Sequence, residues 1–280
     1  MILRFRDGSL DLSTPRVMGV LNLTSDSFSD GGRYVSLDKA LAHARQMASE
    51  GADLIDVGGE STRPGAQPVS EQEELDRVVP VIERLRDSIG CVLSIDTMKP
   101  AVMRAACAAG AQLVNDVNAL RAPGAIEAVR DAGAAACLMH MQGEPRTMQV
   151  APHYLDVLAE ITDFLLERVH ECVDYGISRE SLLLDPGFGF GKTLEHNLSL
   201  LARVPAIAAL GFPVLVGLSR KSMFQKLCGA AVDQRLPASL AAATAAVLGG
   251  AAIVRAHDVR ETRDAVRVAA AIRAAGEESS

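Results

Sequence analysis

Short apolar runs alternate with amphipathic stretches along the whole chain. The runs cover residues 17–21, 54–57, 92–95, 113–114, 134–139, 182–184, 214–217 and 251–254. Polar residues mark their ends: Asn22, Asp56, Asp96, Asn115, His140, Asp185, Ser219 with Lys221, and Arg255 with His257. Continuous apolar runs suit parallel strands covered on both faces. Strands that alternate with helical stretches imply a parallel sheet. If the sheet closes into a barrel, polar groups at the strand ends converge on one mouth.

Helix signals lie between the runs. Ser36 is a candidate cap for a helix that runs to Glu50 and stops at Gly51. Ser70 followed by Glu73 is a capping-box pattern. Leu158, Ile161, Leu165, Val169 and Cys172 recur at helical spacing before Gly176. Gly211 and Gly249 stop two later helices, and Val259, Val266, Ala269 and Ile272 give the last one an apolar face. At the start, residues 2–6 and 9–12 flank Asp7-Gly8, a hairpin turn signal. The shortest unit, between Asp96 and Asn115, still leaves room for a one-helix crossover.

No Pro/Ser linker divides the chain, and Gly187-x-Gly189-x-Gly191 lacks the spacing of a dinucleotide fingerprint. The expected fold is therefore α/β, a single (β/α)8 TIM barrel spanning 1–280. A short N-terminal β-hairpin occupies 1–14 and closes the bottom of the barrel, which fills 15–275.

Composition narrows the function. The 280 residues are 49% hydrophobic and 22% charged, which is globular rather than disordered. A net charge of −7 argues against a nucleic-acid partner or an anionic membrane surface. The five cysteines are widely spaced with no Cys-x-x-Cys pair, and they read as buried small side chains in a reducing compartment. The first twelve residues lack the apolar core of a signal peptide, and no run approaches the roughly 20 residues that span a bilayer. A cytoplasmic location is expected.

The strand-end residues suggest the ligand. Asp96, Asn115 and Asp185 are short acceptors or amides suited to a flat heterocycle with several N–H donors. Individually they also fit a plainer role, bonding backbone groups in neighbouring loops. Lys221 and Arg255 would balance the carboxylates, and Arg255 can stack on a ring and reach a phosphate. Asn22, Ser61, Thr62, Arg63 and His257 suit phosphate, and the glycine-flanked stretch around Arg63 suits a closing loop. Asn22 offers one amide oxygen, enough to complete the shell of a Mg²⁺ held mainly by phosphates and water. There is no Gly-x-Ser-x-Gly elbow, no Walker A motif and no His-x-His pair. The residues alone thus reach a small-molecule barrel enzyme that handles a polar heterocycle and a phosphate.

Eight segments in order carry a resemblance that covers nearly the whole chain. Val17-Met-Gly-Val-Leu-Asn-Leu-Thr-Ser-Asp-Ser-Phe-Ser-Asp-Gly31 and Gly51-Ala-Asp-Leu-Ile-Asp-Val-Gly-Gly-Glu-Ser-Thr-Arg-Pro64 resemble the two signatures of the pterin-binding enzymes. Ser94-Ile-Asp-Thr-Met-Lys-Pro100, Asn115-Asp-Val and Met139-His-Met-Gln-Gly-Glu-Pro-Arg-Thr-Met148 follow. Leu184-Asp-Pro-Gly-Phe-Gly-Phe-Gly-Lys192, Gly217-Leu-Ser-Arg-Lys-Ser222 and Arg255-Ala-His-Asp-Val259 complete a set similar to that of the dihydropteroate synthases. Small departures, at Ala256 and at Phe224-Gln225, remove no polar group.

The resemblance implies a transferase of folate biosynthesis. It would join 6-hydroxymethyl-7,8-dihydropterin pyrophosphate to p-aminobenzoate, giving 7,8-dihydropteroate and pyrophosphate by SN1-like loss of Mg²⁺-bound pyrophosphate. It implies a pterin site of Asp96, Asn115, Val117, Met139, Asp185, Lys221 and Arg255. Pyrophosphate falls to Asn22 (also the metal ligand), Thr62, Arg63, Arg255 and His257. The p-aminobenzoate site falls to Phe28, Arg63, Pro64, Phe190, Lys221 and Ser222. Arg63, Asp96, Lys221, Arg255 and His257 would carry the catalysis. Sulfonamides would compete for the aminobenzoate site, and a homodimer would pack through late helices, at 238–248 and 265–271. Two alternatives stay open: a non-catalytic pterin-binding paralogue, and a methyltetrahydrofolate-dependent methyltransferase, which handles no pyrophosphate.

Overall fold

The computed structural model describes residues 1–23, 32–61, 67–143 and 147–277. Eight parallel strands make one sheet: β3 (Arg16–Asn22), β4 (Leu54–Gly58), β5 (Val92–Asp96), β6 (Leu113–Asp116), β7 (Ala135–Met139), β8 (Leu182–Asp185), β9 (Leu215–Gly217) and β10 (Ile253–Ala256). The spatial order is β8-β7-β6-β5-β4-β3-β10-β9. A parallel bridge between Leu184 and Val214, with Leu184 N–H donating to Pro213 O at 2.9 Å, joins the two edges and closes the barrel. The (β/α)8 expectation is met.

The helices follow the strands: α1 (Gly32–Glu50), α2 (Glu71–Leu85), α3 (Pro100–Ala109), α4 (Ala125–Ala132), α5 (Val157–Asp174), α6 (Leu194–Ala202), α7 (Val204–Ala208), α8 (Met223–Cys228), α9 (Leu236–Leu248) and α10 (Val259–Glu277). The Ser70 hydroxyl accepts from Glu73 N–H at the start of α2. Asp156, rather than an apolar residue, starts α5 by accepting from Leu158 and Ala159. Gly51, at φ +100°, ends α1 in a conformation only glycine adopts readily.

Two boundaries and one helix face differ from the expectation. The first helix begins at Gly32, so Ser36 lies inside it. The run at 251–254 yields a strand shifted to Ile253–Ala256, so Arg255 is a strand residue rather than the residue that ends one. On α10, Val259, Val266 and Ala269 are buried but Ile272 is 55% exposed. His196 accepts from Thr193 N–H through Nδ1 and packs edge-on to Tyr154.

Side chains alternate across each strand, and this sorts the barrel interior into layers. Met18, Leu54, Leu113, Ala135, Leu183, Leu215 and Ile253 point inward near the strand starts. The hairpin β1 (Ile2–Phe5) and β2 (Gly8–Asp11) supplies Leu3 and Phe5 to the same cluster. It therefore plugs the amino-terminal end, as its turn signal suggested. The opposite alternation buries a larger core between sheet and helices.

Candidate active site at the carboxyl ends of the strands

Two residues further along β4, β5, β6 and β8 the inward layer turns polar. Asp56, Ser94, Asn115 and Asp185 replace the aliphatic layer, and Asp96 lies one step higher on β5. Asp56 is opposite Ser94 in register, and Asp96 is opposite Asn115. Burying so many polar groups is costly unless they satisfy one another or a ligand.

Arg255 organises one side. Its Nε donates to Asp56 Oδ2 at 2.6 Å and its Nη2 to Asp96 Oδ2 at 2.9 Å. Asn115 Nδ2 donates to the same Asp56 oxygen at 2.9 Å. The other Asp56 oxygen and the Ser94 hydroxyl are buried without a hydrogen-bond partner among the described residues. Burial lifts Asp96 to about 7; the nearby Arg255 charge holds it down and Asp56 adds to the rise. Burial also opposes the charge on Arg255, yet Asp56 and Asp96 keep its pKa above the usual arginine value. Arg255 thus lies as a counter-charge between Asp56 and Asp96.

The far wall is built by the β7 and β8 loops. Asp185 Oδ1 accepts from Gly187 N–H at 2.7 Å. Burial raises the Asp185 pKa, against the pull of that bond and of the Lys221 and Lys192 charges. The Lys221 ammonium sits 4.3 Å from the centre of the Phe190 ring. Val117 and Met139 join Met141 and Met148 in a small buried cluster, with Met98 and Phe190 packed against it. Aspartate, lysine, aromatic ring and apolar wall thus surround one space.

The remaining predicted residues divide. His257 lies beyond β10, its Nδ1 3.0 Å from Ser219 Oγ. Asn22 is exposed at the end of β3, and Ser222 is exposed ahead of α8. Phe28, Thr62, Arg63 and Pro64 lie outside the described residues. Glu60, just before that second segment, pairs with Lys99 at 2.6 Å, and Lys99 also pairs with the buried Glu74.

Residues 18–257 match the family described as pterin binding enzyme. Dihydropteroate synthase of Escherichia coli (strain K12) is 52% identical over 269 residues, covering 96% of this chain and 95% of that protein. The chain belongs to the pterin-binding enzymes, among the dihydropteroate synthases. The Yersinia pestis dihydropteroate synthase, solved with a sulfonamide drug complex, superposes with a TM-score of 0.92 at 52% identity, covering 98% of this chain and 100% of that one. The Xanthomonas albilineans dihydropteroate synthase in complex with 7,8-dihydropteroate gives 0.88 at 48%, covering 98% and 99%.

Two further buried residues beside this mouth, Asp56 and Lys192, carry little local signal in the sequence of this dihydropteroate synthase. Asp56 was noted only as the end of an apolar run; a charge within Leu-Ile-Asp-Val was the available signal. Lys192 Nζ donates to Phe190 O at 2.9 Å and His140 O at 3.3 Å and lies 3.2 Å from His140 Nδ1. Burial brings this lysine down to about 7, and burial with the Lys192 charge brings His140 to about 3. Nothing local in the sequence joins residues 140 and 192.

For a metal, no cluster of three or more His, Cys, Asp or Glu side chains among the described residues can hold one. Asn22 presents a single hard oxygen donor on the rim beside Gly58 and Asp96. That donor chemistry fits a Mg²⁺ whose other ligands are phosphate and water.

Proposed function

We propose that the chain condenses 6-hydroxymethyl-7,8-dihydropterin pyrophosphate with p-aminobenzoate to give 7,8-dihydropteroate and pyrophosphate. The observation that carries this is the closed polar layer: Asp56, Asp96, Asn115, Asp185 and Arg255 converge in one mouth beside Lys221 and Phe190. The relative bound to 7,8-dihydropteroate supports the same reading. Asp96, Asn115 and Asp185 accept from the amino-oxo edge of the pterin, a guanidine-like edge that pairs well with carboxylates. Val117 and Met139 line its flank, Lys221 bonds its acceptor side, and Arg255 stacks on it. Asn22, Thr62, Arg63, Arg255 and His257 receive the pyrophosphate. Phe28, Arg63, Pro64, Phe190, Lys221 and Ser222 shape the aminobenzoate pocket, where sulfonamides compete, as the sulfonamide complex of the Yersinia relative supports.

The reaction follows from charge. The methylene C–O bond breaks, its electron pair leaves with pyrophosphate, and the ring delocalises the positive charge. Ionised Asp96 favours that cation, while Arg63 and His257 favour the departing anion. The aromatic amine then bonds to the methylene carbon and sheds a proton, so no protein nucleophile is required. Mg²⁺ bound through Asn22 would supply further positive charge to the leaving group.

The whole chain, 1–280, acts as one barrel domain behind its hairpin. We place it in the cytoplasm; none of the described helices is long and apolar enough to cross a membrane. We also infer a homodimer through α9 and α10, supported by exposed Leu248, Val268 and Ile272.

Coupled release of pyrophosphate and dihydropteroate, measured with and without p-aminobenzoate, tests the function. Tight pterin binding with neither product would establish a non-catalytic paralogue instead.

A further inference from the structure

The turn after β6 is strained and tied down from two sides. Ala119 and Leu120 are consecutive non-glycine residues with φ of +52° and +56°. Such conformations are costly for L side chains, and runs of them persist only where the surroundings over-determine them. Here both amides and carbonyls of the turn are held by side chains. Asp116, fully buried, accepts from Asn118 N–H at 2.7 Å through one oxygen and from Leu120 N–H at 2.8 Å through the other. Arg168, buried on α5, donates from Nε to Ala119 O at 2.9 Å and from Nη2 to Leu120 O at 3.1 Å. Its remaining nitrogen pairs with Glu171. One carboxylate therefore reads the amides of the turn and one guanidinium reads its carbonyls.

What the turn carries explains the expense. It begins directly after Asn115 and contains Val117, which packs with Met139, Met141 and Met148 on the apolar wall of the mouth. We propose that Asp116 and Arg168 are positioning residues that hold this turn in its left-handed form and so set Val117, and the end of β6 at Asn115, for the heterocycle. The inference rests on reading that mouth as the pterin site.

Arg168→Lys is the first variant, because it keeps the charge but lacks the planar fork that reaches two neighbouring carbonyls. Asp116→Asn, which retains only one acceptor oxygen, attacks the clamp from its other side if the first variant folds poorly. In either variant, hydrogen exchange at the Asn118 and Leu120 amides should quicken. The Kd for dihydropterin pyrophosphate should rise about tenfold, the order of one residue's backbone strain, while KM for p-aminobenzoate stays near its wild-type value. Ala119→Gly added to Arg168→Lys should recover most of the pterin affinity, since glycine adopts the left-handed form freely. Unchanged exchange, equal losses for both substrates, or no recovery with the glycine would each overturn the clamp. A wild-type chain that fails to bind dihydropterin pyrophosphate would instead overturn the site reading, while the exchange experiment still judges the turn.

Discussion

Arg255 on β10 reaches over β3 to donate to Asp56 on β4, at 2.6 Å from Nε to Oδ2. Asp56 is wholly buried, and the Arg255 side chain is largely so. The pair thus joins two strands that are not hydrogen-bonded to each other. Removing one partner of a buried ion pair leaves the other charge uncompensated. Asp56→Ala should lower stability by about 3 kcal/mol, measured by urea denaturation. Adding Arg255→Met to it should cost less than the sum of the single losses, because no arginine then faces the missing Asp56, the remaining cost being Asp96 left without its partner. Additive losses would show that the two groups are not coupled.

Asp96 predicts a pH dependence of the ligand-free protein. Burial raises its folded-state pKa to about 7, from the ordinary aspartate value of 3.8. Between these values the folded state holds more protons than the unfolded one, so this residue's contribution to stability is full below about 4 and is lost as pH rises through about 7. Thermal melts of the wild type and Asp96→Asn across pH 4–8 should diverge in that sense, the wild type losing ground to the variant as pH rises. Parallel curves would place the titration elsewhere.

The parts of the fold legible in the sequence are those set by local pattern. Runs such as 54–57 and 182–184 announce parallel strands because both faces are covered and no alternation is needed. Asp96, Asn115 and Asp185 could be assembled because a barrel brings successive strand ends together. The missed groups depend on distance along the chain. Lys192 looked like the end of a glycine-rich loop, and only the approach of the 140–143 backbone makes it a buried cross-link. A Cβ on Gly187 would fall 1.9 Å from His140 O, which shows how close the two loops lie. Arg168 sat unremarked within a helix whose apolar spacing was plain, because its partners lie 48 and 49 residues away.

Lys192 offers a test with the opposite pH sign. Burial lowers its folded-state pKa to about 7 from 10.5. The unfolded chain therefore holds the extra proton between those values, and stability from this residue rises with pH through that window. Melts of the wild type against Lys192→Met should favour the wild type increasingly from pH 7 to 10. The variant also releases Phe190 O and His140 O, so Phe190 should lose its seat against Lys221. A higher KM for p-aminobenzoate with little change in pterin Kd would follow; a change confined to pterin affinity would contradict this role.

Arg63 separates binding from chemistry. In the proposed reaction its guanidinium meets pyrophosphate as negative charge builds on the leaving oxygen. An interaction stronger in the transition state than in the ground state acts on kcat rather than on substrate affinity. Arg63→Ala should therefore reduce kcat by about 10²–10³, the range seen when one donor to a developing oxyanion is removed. In the proposed site pterin affinity is assigned to Asp96, Asn115 and Asp185, so calorimetric binding of dihydropterin pyrophosphate should weaken far less. Single-turnover kinetics at saturating substrate isolate the chemical step. An equal, large loss of pterin binding would make Arg63 a binding residue and leave charge stabilisation to His257 and Arg255.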